Sequence, residues 1–372
     1  MPLTKTNFRL GFLLLVLALT CTTAHAQYPA GADSVLQFIK EHPSNSAIFL
    51  KRNDTVLAKL NESVSMPLAS TCKIMVAIEF AKQAGNDIIE GDSMVALADL
   101  DRYYLPFTDG GAHNAWLQQI KKNNLVKNDS VALIHVARGM IQFSSNANTE
   151  YLMDLLGLDN INNNIKLFGL QQHTALFPFV SSLFLYQNPK KSSEKKILRA
   201  IDDLTEEAYC KTSFEIHKAL KYDTILKNRF KLADLSLNMQ KKWSDRLPAS
   251  TVKDYVQICT ILNKRKYLDE NSYGVLAEVL ESLMENPANQ KIYHHIGTKG
   301  GSTSFVLTKA IYAQLIDLQT IEVAYFFNDL TADQNLQLQK WLNDFNIAIT
   351  QSRAFQDNVA ASFKPVAAAT KK

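Results

Sequence analysis

Ser70 and Lys73 form the first pair in this chain whose types and spacing can do chemistry. They stand in Met66-Pro-Leu-Ala-Ser-Thr-Cys-Lys-Ile-Met-Val-Ala-Ile-Glu-Phe80. The apolar run at 74–80 predicts a buried helix over 70–84, closed by Gly85 at its C′ position. Residues three apart on a helix share a face, so the hydroxyl and the amine can meet. A serine hydroxyl is a weak nucleophile until a neighbour takes its proton, and a desolvated lysine can be that neighbour. The helix N-terminus adds a positive end where negative charge would develop.

An isolated S-x-x-K carries little information. The spacing recurs at Ser192 and Ser193 in a lysine-rich connector, and at Ser250, where an N-cap is the simpler role. A second element, S-x-N, occurs at Ser144–Asn146 and at Ser236–Asn238, and only the first lies at a break between two apolar helical patterns. A third, K-x-G, occurs once, as Lys299-Gly300-Gly301 at the end of a predicted strand. The three in this order, each in a fitting context, are far more specific than any one of them.

With these motifs the sequence resembles the penicillin-recognising serine hydrolases, in particular class A β-lactamases and the related D-Ala-D-Ala peptidases. The stretch from Leu100 through Tyr104, Pro106, Thr108, Asp109 and Gly110 to His113 is similar to the loop before the S-D-N helix in some class A-like hydrolases. The likeness spans roughly residues 32–350 and is weakest between 185 and 245. It implies an acylated nucleophile at Ser70, a proton acceptor or relay at Lys73, and a proton shuttle to the departing nitrogen at Ser144. Asn146 would bond the acyl side-chain amide, and Lys299 would help hold a substrate carboxylate. Just past Gly301, the N–H of Ser302 would join that of Ser70 in an oxyanion hole. Such a donor is worth about 3 kcal/mol.

Three departures follow. S-D-N is Ser-Ser-Asn here. K-T-G is Lys-Gly-Gly, which deletes a carboxylate-binding hydroxyl that Thr298, Ser302 or Thr303 would have to replace. The deacylating glutamate of class A enzymes falls near Val180, yet no Asp or Glu occurs from 160 to 193. Glu150 is the nearest carboxylate in sequence, on a helix where it is free to face solvent.

The elements that must position these groups read as follows. A helix at 32–41 precedes a hairpin of 46–51 and 55–60. Residues 88–116 are irregular, with Pro106 and Gly110-Gly111 marking an exposed loop. Asp129-Ser130 would cap a helix over 131–142, and another runs from about 148 to Gly157. Residues 158–188 are apolar and irregular, their phenylalanines reading as core under a loop. Helices are expected at 197–221, 247–264 (Ser250 a possible cap) and 270–285. Strands at 290–299, 305–315 and 320–327 then form an antiparallel meander before a helix at 331–349. The expected fold is α/β (α+β), an antiparallel sheet flanked by helices with an inserted all-helical subdomain. Residues 27–87 and 286–358 make the sheet part, 88–285 the helical part, and 359–372 a frayed tail.

Lys5, Arg9, the apolar 10–20 and Ala24-His25-Ala26 have the form of a cleavable signal segment over 1–26, with lipoprotein processing at Cys21 as the alternative. Nothing after Gln27 is apolar enough to span a bilayer, which implies a periplasmic or secreted protein. A net charge of +4 spread over 372 residues is no nucleic-acid footprint. Cys72, Cys210 and Cys259 are too few for a disulfide framework, although Cys210 and Cys259 could pair. His113 and the His294-His295 pair lack metal-binding spacing and read as solvated. The expectation is a monomeric enzyme without cofactor or metal. Its ligand would be a small β-lactam or a peptidoglycan-like peptide. The alternatives are a D-Ala-D-Ala peptidase, an esterase or slow-releasing penicillin-binding protein, and a non-catalytic binder of cell-wall fragments.

Overall fold

The computed structural model describes residues 28–187, 192–223 and 225–363; the signal segment and the end of the tail lie outside them. Helix α1 (Gly31–Glu41) leads into β1 (Ser46–Arg52) and β2 (Thr55–Leu60). Asn53 and Asp54 make the hairpin turn with φ of 50° and 64°, the left-handed geometry that matches strand twist. The pair β3 (Met66–Pro67) precedes a 3-10 turn, Ala69–Cys72, and only then α2 (Lys73–Gly85). Ser70 therefore sits on a tighter turn ahead of the α-helix rather than on its first α-turn. Gly85 is the last helical residue, not a left-handed cap. Its missing Cβ leaves room for the Ser272 backbone, which a side chain would approach at 2.5 Å.

The 88–116 region holds more structure than its composition suggests. Strand β4 (Met94–Ala96) and α3 (Leu97–Asp101) precede the loop, and α4 (Ala112–Lys122) follows it. β4 pairs with β5 (Ser130–Ala132), so the segment expected to begin a helix is a strand, and α5 (Leu133–Gln142) starts after it. Next come α6 (Asn146–Leu156) and α7 (Leu158–Leu167), the latter within a stretch read as irregular. Helices α8 (Glu194–Asp202) and α9 (Glu206–Tyr222) fill the stretch expected to be helical there, and α10 (Leu237–Asp245) was not expected from the sequence. Ser250 does not cap a helix. It lies in β6 (Ala249–Ser250), which pairs with β3, while Thr251 caps α11 (Val252–Lys264).

After α12 (Glu270–Leu280) and the short α13 (Pro287–Gln290) come β7 (Tyr293–Ser302), β8 (Leu307–Leu315) and β9 (Thr320–Phe327). They join the hairpin in one antiparallel sheet of order β2-β1-β9-β8-β7. β7 carries Lys299-Gly-Gly inside the strand rather than at its end. Helix α14 (Ala332–Gln351) opens with a Thr331/Gln334 capping box. Helix α15 (Arg353–Ser362) occupies the first part of the expected tail. One sheet face packs on α1, α14 and α15, and the other on a larger core with α2 at its centre. Burying both faces of the sheet at about 25 cal/mol per Å² of apolar surface gives the scaffold its rigidity. Cys72, Cys210 and Cys259 are free, so Cys210 and Cys259 do not pair.

Candidate active site

The loop before α2 is held by backbone contacts. Leu68 N–H donates to Pro248 O at 2.9 Å, and Thr308 Oγ1 on β8 donates to Leu68 O at 2.7 Å. Thr308 also shares a 2.8 Å hydrogen bond with Thr71 Oγ1. Ala69 has φ 46°, a left-handed conformation costing a non-glycine residue roughly 1 kcal/mol, directly before Ser70. Gly301 lets β7 press against this turn. A Cβ there would lie 2.5 Å from Leu68 O and from Ser70 N. Only glycine permits that approach, which brings the Ser70 backbone alongside the residues that lead to Ser302.

Between α5 and α6 the chain reverses at Ser144, whose φ of 71° is again left-handed. Ser145 points away from the cleft and is fully buried. Its Oγ accepts from Asn148 N–H at 3.2 Å, capping α6, and meets His113 Nδ1 at 2.9 Å. The middle residue of Ser-Ser-Asn is thus a helix cap, and His113 is a buried partner of it rather than a solvated loop histidine. His295 is also buried, with Nε2 2.7 Å from Asn263 Oδ1.

The elements converge on one hydroxyl. Lys73 Nζ donates to Ser144 O at 2.7 Å and to Asn146 Oδ1 at 2.9 Å, and lies 3.4 Å from Ser144 Oγ. Lys299 Nζ, from β7, donates to the same Oγ at 3.0 Å. The donors of Lys73 go to Ser144 and Asn146 and not to Ser70. Ser70 stands half-exposed in a cleft of about 620 Å³ that it shares with Thr108, Asp109, Ser144, Asn146, Phe179 and Ser302. Asn146 Nδ2 bonds Thr108 O at 3.3 Å, tying the 102–111 loop to the site.

Burial pulls the Lys73 ammonium down to about 8. Lys299 is pushed well below the lysine range by burial and by the charges of Lys73 and Lys309. Lys309, which lies opposite Gly300 on β8, is lowered to about 8 by burial alone. It lines a groove of about 290 Å³ with Ser144, Gly301 and Ser302, and among the described residues nothing bonds its Nζ. The sequence reading missed it, because a lysine in a strand pattern signals nothing until the register is known. Trp243 of α10 was missed too and lines the main cleft.

Of the hydroxyls open to replace the threonine of K-T-G, Thr298 donates to Ala310 O and Thr303 is bonded to Ser244 and Phe305 N–H. Ser302 is exposed at the cleft. Glu150 does not face solvent. It is 1% exposed and accepts from Val180 N–H, Ser181 N–H, Ser181 Oγ and His217. No group of His, Cys, Asp and Glu suited to a metal occurs among the described residues.

Comparison with known proteins gives this geometry its context. A beta-lactamase from Chitinophaga pinensis superposes with a TM-score of 0.51, at 13% identity over 89% of this chain and 99% of that one. A beta-lactamase from Sphaerobacter thermophilus does so with a TM-score of 0.51, at 16% identity over 86% and 94%. At such identities the likeness establishes the mixed α/β fold alone. Among curated proteins none matches. The family model of the beta-lactamase enzyme family matches residues 32–304, taking in Ser70, Ser144 and Lys299-Gly-Gly. The chain belongs to the beta-lactamase enzyme family, as a serine hydrolase of β-lactamase type.

Proposed function

We propose that this protein is an exported hydrolase that opens a β-lactam, or an amide or ester of related shape, through an acyl-enzyme on Ser70. The observation that carries the reading is Ser144 Oγ, held within reach of both Lys73 and Lys299 beside a half-exposed Ser70. Neutral Lys73 takes the Ser70 proton, directly or through Ser144, as Ser70 Oγ attacks the carbonyl carbon. Ser144 passes a proton to the departing nitrogen, and the neighbouring lysines restore it. The N–H groups of Ser70 and Ser302 stabilise the oxyanion. Asn146 meets the acyl amide, and Lys299 with Lys309 draws the substrate carboxylate. The chain is expected to act as a monomer in the periplasm or outside the cell. No helix among the described residues is long and apolar enough to cross a membrane.

A second reading, slow release in the manner of a penicillin-binding protein or D-Ala-D-Ala peptidase, is favoured by one fact. No carboxylate occurs from 160 to 193, and Glu150 has no lone pair left for water. A time course of intact mass after addition of a penicillin separates the two. A Ser70 adduct that appears and vanishes with turnover supports the hydrolase, and one that persists supports slow release. Ser70→Ala should show no adduct. Wild-type protein that neither gains mass nor consumes the drug would refute the acyl-enzyme.

A further inference from the structure

Helix α6 presents Asn146 to the cleft at its first turn and Glu150 one turn later on the same face. Glu150 Oε1 accepts from Val180 N–H at 2.8 Å and Ser181 N–H at 3.0 Å, and Oε2 accepts from Ser181 Oγ and from His217 Nδ1 at 2.9 Å. On the other side of the same turn, Trp243 Nε1 donates to Phe179 O at 2.9 Å and to Ser182 Oγ at 3.0 Å. Phe179 and Trp243 both line the cleft with Ser70. The 179–182 turn is therefore gripped by α6 and α10 and registered to Asn146 by a single helical turn.

A buried carboxylate needs a counter-charge, and α9 supplies it. His217 is 1% exposed, with Nε2 3.8 Å from Asp154 Oδ1, an ion-pair distance, while Lys221 Nζ meets Asp154 Oδ2 at 2.6 Å. Tyr103, from the loop after α3, stacks on the imidazole at 4.7 Å. The titratable groups facing His217 are thus Glu150 and Asp154 on α6, Tyr103, and Lys221 through Asp154. Burial opposes the imidazolium, but the two carboxylates outweigh it and hold its pKa up at about 9.

We propose that Glu150 and His217 are positioning residues that fix the 179–182 turn as a dry wall of the cleft and thereby set how long an acyl group stays on Ser70. This inference rests on the acyl-enzyme reading above. Release requires a water oxygen to bond to the ester carbonyl carbon while its proton passes to Lys73. Ser70 Oγ then leaves and recovers a proton. A fixed turn that presents Phe179 and no free carboxylate leaves that water no room beside the ester and only Lys73 as its base. Loosening the turn admits it.

The test labels full-length protein with a fluorescent penicillin and follows label loss across pH in wild type and variants. Glu150→Gln, which removes a charge-assisted anchor, should shorten the label lifetime about tenfold or more, with the labelling rate within about threefold of wild type. The wild-type lifetime should shorten around pH 8 as the acceptor Lys73 becomes neutral, and show a second break above about pH 9. The folded pKa of His217 exceeds the unfolded value near 6.5, so its stabilisation is full at low pH and lost as pH rises through 9. His217→Gln should abolish that second break, and Asp154→Asn should move it to lower pH. Trp243→Phe keeps the ring but loses the N–H, and should shorten the lifetime even if the Glu150 variants fail to fold. Equal lifetimes in all variants would overturn the inference. So would labelling and lifetime falling together in step with melting temperature, because that is a purely structural role. A wild-type protein that takes no label at all would overturn the acyl-enzyme reading and this inference with it.

Discussion

Two clusters of charge, each partly buried, lie on either side of the 179–182 turn and follow opposite rules. Behind it, Glu150, His217, Asp154 and Lys221 alternate in sign, each charge meeting its opposite at 2.6–3.8 Å. On the catalytic side, Lys73, Lys299 and Lys309 are three cations with no carboxylate at ion-pair distance among the described residues. Their partners are carbonyl and hydroxyl oxygens, or nothing. A compensated network costs little to keep charged and keeps its shape. Burial penalises the charged form of all three ammonium groups, and with no carboxylate at ion-pair distance to offset it their pKa values are lowered. The first cluster holds the fold, and the second is the one to which the proposed reaction assigns proton transfer and anion binding.

Lys73 tests this contrast most severely. If its neutral amine is the base, Lys73→Ala should lower the acylation rate about 10³-fold, within the usual range for a lost general base. The wild-type rate should rise with pH and level off, with a midpoint near 8, because the reactive form is the unprotonated one. A flat profile from stopped-flow labelling would break the comparison, for Lys73 would then be as fixed in charge as the network behind the turn.

Gly301→Ala should come next, at about 10²-fold in acylation. The new Cβ would meet Leu68 O and Ser70 N at 2.5 Å and Thr71 N at 2.7 Å, so β7 and the nucleophile turn must part. That would displace a donor of the proposed oxyanion hole, where such a donor is worth about 3 kcal/mol, of which partial relaxation returns some. Burst kinetics with a chromogenic cephalosporin would read the loss. Unchanged acylation would mean that the Ser70 and Ser302 N–H groups do not act together.

What the sequence made legible, and what it hid, divides along the same line. The hairpin, the meander and the closing helix are written in local runs of β-branched, aromatic and amphipathic residues, and they form as expected. Ser70, Ser144 and Asn146, found by motif, line one cleft, and Lys73 and Lys299, also found by motif, bond Ser144. Hidden features all depend on distant partners. Glu150 is buried by His217, 67 residues away in sequence, so no helical pattern could turn it inward. Strand β5 replaces a helix start because β4 pairs with it, and Ser70 lies on a 3-10 turn because β7 and Thr308 hold its backbone. Trp243 lies in α10, where the few buried residues leave a weak apolar stripe.

Lys309 gives the smallest expected effect and sharpens the comparison furthest. It pairs with Gly300, the position where related enzymes carry a hydroxyl, and its Nζ would lie 3.7 Å from a Cβ built there. The missing threonine and the unpartnered ammonium are thus neighbours, one lost carboxylate contact beside one available cation. Lys309→Met keeps most of the side-chain length and removes the charge. It should cut labelling efficiency about tenfold for a penicillin with a free carboxylate, the scale of one partly solvated ion pair. For the same drug with its carboxylate esterified, the variant and wild type should differ by less than about twofold. An equal loss with both substrates would place Lys309 with the scaffold charges. A loss confined to the free acid would show that an uncompensated cation is kept, at a cost in burial, for an anion that arrives only with the substrate.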